Sequence, residues 1–261
     1  MKNAIHARGQ TLTKAIAAMG MALVLTAAAS TSAPANDKGL SDVQKQDVEK
    51  LIHQYILDHP EVIVEAMQRM QARQEAAQKA HAEAALKASH GELVNDPDAP
   101  IMGNPKGSVT VVEFFDYRCG FCKRVFPSIV QVLKEDTDIR YVFKEFPILG
   151  PESVMASKAS LAIWRTHKDK YAAFHGALMS ASGGIPEAKI MSIAASLGID
   201  EKQLKAAMAD PAIDAILERN YRLAQNLNIN GTPAFVIGDQ LVPGAIDVAT
   251  MKRMIAESRG S

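Results

Sequence analysis

The stretch Val109-Thr110-Val111-Val112-Glu113-Phe114-Phe115-Asp116-Tyr117-Arg118-Cys119-Gly120-Phe121-Cys122-Lys123 contains both cysteines of the 261-residue chain. Its first seven residues form a β-branched and aromatic run, the pattern of a central strand buried on both faces. From Cys122 onward the pattern turns helical, so the cysteines fall on a strand-to-helix turn. A cysteine in the first helical turn meets unpaired backbone N–H groups and the positive end of the helix dipole, both of which favour thiolate over thiol. Arg118, Lys123 and Arg124 add cationic charge nearby. On these grounds Cys119 is expected to be exposed with a lowered pKa and Cys122 to be buried, a redox dithiol.

A lone Cys-x-x-Cys has two other readings. Structural zinc needs four ligands, commonly from a second Cys or His pair at similar spacing, and the seven histidines are scattered. A static disulfide across two residues closes too small a loop to stabilise a domain much through chain entropy. Redox chemistry fits better, and three further features support it. Glu113 interrupts an apolar strand, where an unpaired carboxylate is costly unless its pKa rises and it serves as a proton acceptor. Its client would be Cys122; the alternative is a strand-end glutamate turned to solvent. Pro127 lies inside the following helix and should kink it. Far downstream, Thr232-Pro233 precedes a second β-rich run, Ala234 to Ile237. A proline there can hold a cis peptide that leaves the Thr232 backbone free to pair with an extended peptide, the alternative being a plain trans turn.

These residues resemble the thioredoxin superfamily, and within it the periplasmic DsbA-like proteins. The matching features are Glu113 six residues before Cys119, Cys119-Gly120-Phe121-Cys122, Pro127 eight residues after Cys119, and Thr232-Pro233. The stretch Phe143 to Ser153 also resembles the group that carries an N-terminal helical extension. The resemblance implies that Cys119 attacks, Cys122 resolves, Glu113 is the buried proton acceptor, and Thr232-Pro233 is the substrate-docking loop. Gly120-Phe121 departs from the proline or histidine of strongly oxidising members, and that pair tunes redox poise.

Lys2, Arg8 and Lys14 precede an apolar stretch from Ala15 to Ala29, and Ser32-Ala33-Pro34-Ala35 supplies a cleavage site before Asn36. This reads as a cleaved signal peptide over 1–35, too short for a spanning helix of roughly 18 or more apolar residues, with an uncleaved anchor as the alternative. Export to a periplasm puts the dithiol where disulfides form. Without residues 1–35 the chain keeps 26 basic and 29 acidic residues, a net charge of −3. No nucleic-acid or polybasic membrane patch is indicated.

Residues 36–90 read as a helical oligomerisation region. Ser41 and Gln44 have capping-box spacing, and Val48, Leu51, Ile52, Tyr55 and Ile56 form a stripe at helical period. Asp58-His59-Pro60-Glu61 breaks that helix and starts a second, striped by Ile63, Met67 and Met70. Gln71 to Ser89 has almost no large apolar residue and reads as a movable connection. The stripes need a partner surface, most simply another copy of the chain, the alternative being the chain's own catalytic domain. Residues 91–261 form the catalytic domain. It comprises a βαβ unit (strand 109–115, helix 119–135, strand 139–146), a helical insertion over about 153–228, strands 234–237 and 240–242, and a last helix from Asp247. Trp164 and His167 read as core or cap residues.

The expected fold is α/β and thioredoxin-like with a helical insertion, preceded by a helical stalk. The expected activity is protein thiol:disulfide exchange, in the direction of an isomerase or reductase. It needs no cofactor or metal, because the electrons reside in the cysteine pair. Oligomeric relatives with helical stalks tend to be isomerases, and among them the chain resembles the suppressor-of-copper-sensitivity C proteins. A DsbA-like oxidase is the first alternative. A carrier holding Cu(I) on the two thiolates is an alternative of another class. Implied partners are cysteine-containing secreted proteins, a membrane thiol-disulfide reductase or oxidase, and further copies in a dimer or trimer.

Overall fold

A computed structural model describes residues 39–260, so the signal peptide read over 1–35 lies outside the described residues. The chain divides between Ile63 and Val64 into a short N-terminal unit and a larger one. In the first unit, α1 spans Asp42–Asp58. Gln44 N–H donates to Ser41 Oγ at 3.3 Å, and Ser41 N–H donates to Gln44 Oε1 at 2.9 Å. This reciprocal cap satisfies two donors that the first turn leaves open, worth about 1 kcal/mol. The helix stops at Asp58, and α2 (Glu61–Val94) starts just after Pro60, whose missing N–H costs nothing there. Every residue of α1 stays out of the core.

The larger unit is built on a five-stranded sheet in the order β1-β3-β2-β4-β5. These strands are β1 (Ile101–Gly103), β2 (Val109–Phe115), β3 (Ile139–Glu145), β4 (Ala234–Ile237) and β5 (Gln240–Pro243). β2 and β3 run parallel, with Val111 opposite Tyr141 and Glu113 opposite Phe143. The other pairings are antiparallel. A parallel pair needs a crossover, and α3 (Gly120–Glu135) supplies it. β2 lies at the centre of the sheet, and its continuous apolar run reflects cover on both faces.

One face carries Val111, Phe115, Tyr141 and Phe143 into a core with α3, the insertion helices α4 (Pro151–Thr166) and α5 (Tyr171–Ser180), and the last helix α9 (Val248–Arg259). The insertion continues through α6 (Glu187–Ser196), α7 (Glu201–Met208) and α8 (Pro211–Asn226). The other face carries Val112, Phe114 and Val142 against Leu223 and Leu227 and against Leu86 and Leu93 of α2.

The structure differs from the sequence reading in two places. Gln71 to Ser89 is helix throughout, and the expected boundary at 90/91 falls inside α2. Leu86, Ser89 and Leu93, spaced by three and four, give the end of that helix one buried face. The second difference is β1, read as connection and turn. Its three residues gain strand form by pairing with β3, and Gly103 at φ 74° closes it where a Cβ would come within 2.5 Å of the Ile139 carbonyl oxygen.

Candidate active site

β2 delivers the chain to a turn, Asp116-Tyr117-Arg118, and Cys119 is the N-cap of α3. Cys119 N–H donates to the Asp116 carbonyl at 3.0 Å, closing the turn. Cys122 N–H points at Cys119 Sγ at 3.5 Å, so the sulfur occupies the place of a capping oxygen. The Asp116 carboxylate fixes the turn from the side, accepting from Arg118 N–H at 2.7 Å, Ser153 Oγ at 2.7 Å and Leu149 N–H at 3.0 Å. Pro127 lies within α3, and the Thr232-Pro233 peptide is cis. Residues 113 sequence positions apart thereby meet, with Cys119 Sγ 3.1 Å from the Thr232 carbonyl oxygen. Both cysteines are free thiols.

Cys119 is pulled down to about 5, first by the hydrogen bond from the Cys122 side chain; burial opposes this, and the Thr232 side chain and the N–H groups of Cys122 and Phe121 add to it. The expectation of an exposed Cys119 is corrected: it is 5% exposed and Cys122 is fully buried. The sulfur needs the Thr232 loop and the first turn of α3 around it to gain these donors, and that covering buries it. The cationic contribution is corrected as well. Arg118 donates to the Leu149 carbonyl at 2.6 Å and pairs with Glu152 at 3.2 Å, and Lys123 donates to the carbonyls of Leu178 and Ala181. Arg124 lies over the Phe121 ring, 4.3 Å from its centre. Each cation has found a nearer acceptor or ring than the sulfur.

Cys122 is pushed well above the usual thiol range by burial, by its bond to Cys119 and by the charge of Glu113. At neutral pH one thiolate and one thiol therefore share the site. Glu113 is buried, not turned to solvent. Burial pushes it up to about 8, against the opposing hydrogen bond from Tyr141 Oη to its Oε2 at 2.8 Å, and the Cys119 charge adds to the rise. Its Oε1 has no hydrogen-bond partner.

Sequence reasoning missed a buried polar cluster beneath the turn. Tyr117 Oη lies 2.7 Å from Ser160 Oγ and 2.8 Å from His175 Nδ1, and Ser157 Oγ donates to Glu145 Oε2 at 2.6 Å. Burial pushes Glu145 up to about 8 and pulls His175 down to about 3, so both are neutral at pH 7. Tyr141 also went unremarked. Its only signal was parity with Phe143 on β3, which puts it on the face of Glu113. Trp164 packs edge-on against Tyr171 at 5.3 Å, and His167 ends α4 as its C-cap.

A parallel β2–α3–β3 unit, a thiolate at the N-cap of α3 and a facing cis-proline loop define a thioredoxin-like dithiol oxidoreductase. The family described as DSBA-like thioredoxin domain matches residues 110–256, and the chain belongs to it. Residues 44–77 match the copper resistance protein ScsC N-terminal domain. A thioredoxin-like oxidoreductase from Silicibacter pomeroyi is 42% identical, covering 66% of this chain and 98% of that one, with a TM-score of 0.63. Proteus mirabilis ScsC in a transitional conformation is 29% identical over 85% of this chain and 98% of that one, with a TM-score of 0.63. Disulfide bond formation protein D of Bacillus subtilis is 25% identical over 166 residues, 60% of this chain and 75% of that protein. The chain spans only 25% of a similar sodium/proton antiporter from Salinispora arenicola. It is a thiol-disulfide oxidoreductase of the DsbA/ScsC type.

Proposed function

We propose that the protein is a periplasmic disulfide isomerase or reductase that acts on secreted polypeptides as a homo-oligomer, a dimer or trimer held by its N-terminal helices. The observation that carries this reading is the apolar surface those helices leave open. Leu51, Ile52 and Tyr55 of α1 and Ile63, Met67 and Met70 of α2 are between 46% and 69% exposed. Such surface calls for a partner, and the matched ScsC N-terminal domain covers the same residues. Isomerisation needs a reduced Cys119, and assembled subunits would shield it from a membrane oxidase while presenting several thiolates to one substrate.

In the reaction, Cys119 thiolate attacks a substrate disulfide; a mixed disulfide forms and one substrate thiolate leaves. That step removes the Cys119 charge, one of the causes that raise Glu113. Glu113 then ionises more readily and takes the Cys122 proton. The new Cys122 thiolate attacks Cys119, leaving the pair oxidised and the substrate reduced. In isomerisation a substrate thiolate attacks the mixed disulfide instead, and the pair stays reduced. Thr232 docks the substrate backbone beside Cys119. A Cu(I) carrier would leave both Glu113 and Thr232 without a role.

Removing residues 36–70 deletes the exposed surface and keeps Leu86 and Leu93 in their core. Light scattering should then show a monomer, and refolding of scrambled ribonuclease should be lost while dithiol oxidation is gained. A full-length protein that is already monomeric, or a truncated one that isomerises as well as its parent, would establish the oxidase reading, which the likeness to disulfide bond formation protein D favours.

A further inference from the structure

The face of α2 that docks on the sheet runs past the core. Leu86, Ser89 and Leu93 are buried, Ala82 on the same face is half-buried, and Gln78 lies one turn further back. At Ala82 and Gln78 the helix meets no core residue and borders a cleft of about 710 Å³. Across it lie the segment from Leu227 to Ala234, which includes Thr232 and Pro233, and Leu241 of β5. The alanine-rich composition of this part of α2 keeps the cleft open, because a large side chain at position 82 would fill it.

The cleft begins where Thr232 meets Cys119 Sγ, so whatever occupies it lies beside the reacting sulfur. None of its thirteen lining residues is charged, in a chain with 22% charged residues. Leu227, Ile229 and Leu241 offer apolar contact, and Gln78, Asn228 and Asn230 offer amide donors and acceptors. β5 is the edge strand of the sheet. The cleft lined by Asp96, Asp98, Lys144 and Arg219, by contrast, is ionic. An extended polypeptide carries an uncharged backbone of alternating donors and acceptors with side chains on either hand, which suits neutral walls with amides along them.

We propose that this cleft receives the uncharged, extended segment that flanks the reacting cysteine of a substrate polypeptide, and that Gln78 and Ala82 form its outer wall. The N-terminal helical region thereby takes part in substrate selection as well as assembly. This rests on the reading that polypeptide disulfides are the substrates.

The test uses the reduced full-length protein and two probes, glutathione disulfide and the symmetric disulfide of a neutral Val/Thr/Ala peptide with one cysteine. In each reaction Cys119 thiolate forms one sulfur–sulfur bond, the probe loses one, and a probe thiolate departs. Rapid quenching gives the two rates of mixed-disulfide formation. The unaltered protein should prefer the peptide. Ala82→Trp should slow the peptide about tenfold more than glutathione disulfide. Ala84→Trp, on the exposed side of the helix, should leave the ratio of the two rates unaltered. Gln78→Trp, at an exposed position, repeats the test should Ala82→Trp fail to fold. A wall variant that slows both probes equally or neither, or that changes the mass seen by light scattering, overturns the proposal. Absence of any peptide preference in the unaltered protein overturns the substrate reading instead.

Discussion

Lys144 and Glu145 are neighbours on β3, yet the two faces of the sheet bury them on opposite terms. Successive strand residues point to opposite faces. On one side Lys144 Nζ lies 2.6 Å from Asp96 Oδ2 and 2.9 Å from the Glu92 carbonyl oxygen. Burial pushes Asp96 up, but its bond to Lys144 and the Lys144 charge outweigh that and hold it below the usual carboxylate range. The side therefore keeps a fixed ion pair. On the other side Glu145 and Glu113 are met by hydroxyls, from Ser157 and Tyr141, and burial wins. A hydroxyl cannot compensate a buried carboxylate as an ammonium can, so these acids hold protons at neutral pH. The face with the ion pair anchors the end of α2 at its Glu92 carbonyl; the face with the neutral acids lies under the dithiol, where protons must move.

Lys144→Ala should give the largest effect. It leaves Asp96 buried without its nearest cation and should cost about 3–5 kcal/mol in denaturant unfolding, with the Cys119 thiolate unchanged. A loss below about 1 kcal/mol would show that Arg219, 3.7 Å from Asp96, takes over the pair.

Glu113→Gln should act in the other direction. Glu113 is raised from 4.5 to about 8, so between those values the unfolded chain has released a proton that the folded protein keeps. Stability therefore falls as pH rises through this window, and removing the acid should relieve on the order of 3 kcal/mol at pH 7 and nothing below pH 4.5. The same variant should slow resolution of the mixed disulfide in stopped-flow exchange, because Cys122 loses its local base. Glu145→Gln should show the similar stability gain without the slower resolution. Equal slowing in both variants would assign the effect to the face as a whole rather than to Glu113.

The smallest effect concerns the thiolate. Absorbance across pH should place the Cys119 midpoint near about 5, and the depressed pKa should make the folded reduced protein gain stability as pH rises from about 5 toward 9. Cys122→Ser retains a side-chain donor and should keep the midpoint low, whereas Cys122→Ala should raise it by about one unit. Identical midpoints in the two variants would mean that the Thr232 loop and backbone donors suffice.

Much of the molecule was legible because its signals are local. The β-branched run of β2, the Cys-x-x-Cys turn, the capping box at Ser41 and the break at His59-Pro60 each depend on residues within a few positions. β1 was not legible, since three residues take strand form only through their pairing with β3. Neither was the docked face of α2, because Leu86 and Leu93 stand alone in a stretch of Ala, Gln, Lys and Glu.

The sequence by itself determined the chemistry available: two thiols on a helix N-terminus, a carboxylate in an apolar strand and a proline before a second strand. Tertiary structure alone decided which groups meet and therefore which are charged. It brought Thr232 across 113 positions to Cys119, drew Arg118, Lys123 and Arg124 to other acceptors, and gave Glu113 a tyrosine where Asp96 received a lysine. Ionisation depends on burial and on neighbours within a few ångströms, and residues distant along the chain supply both.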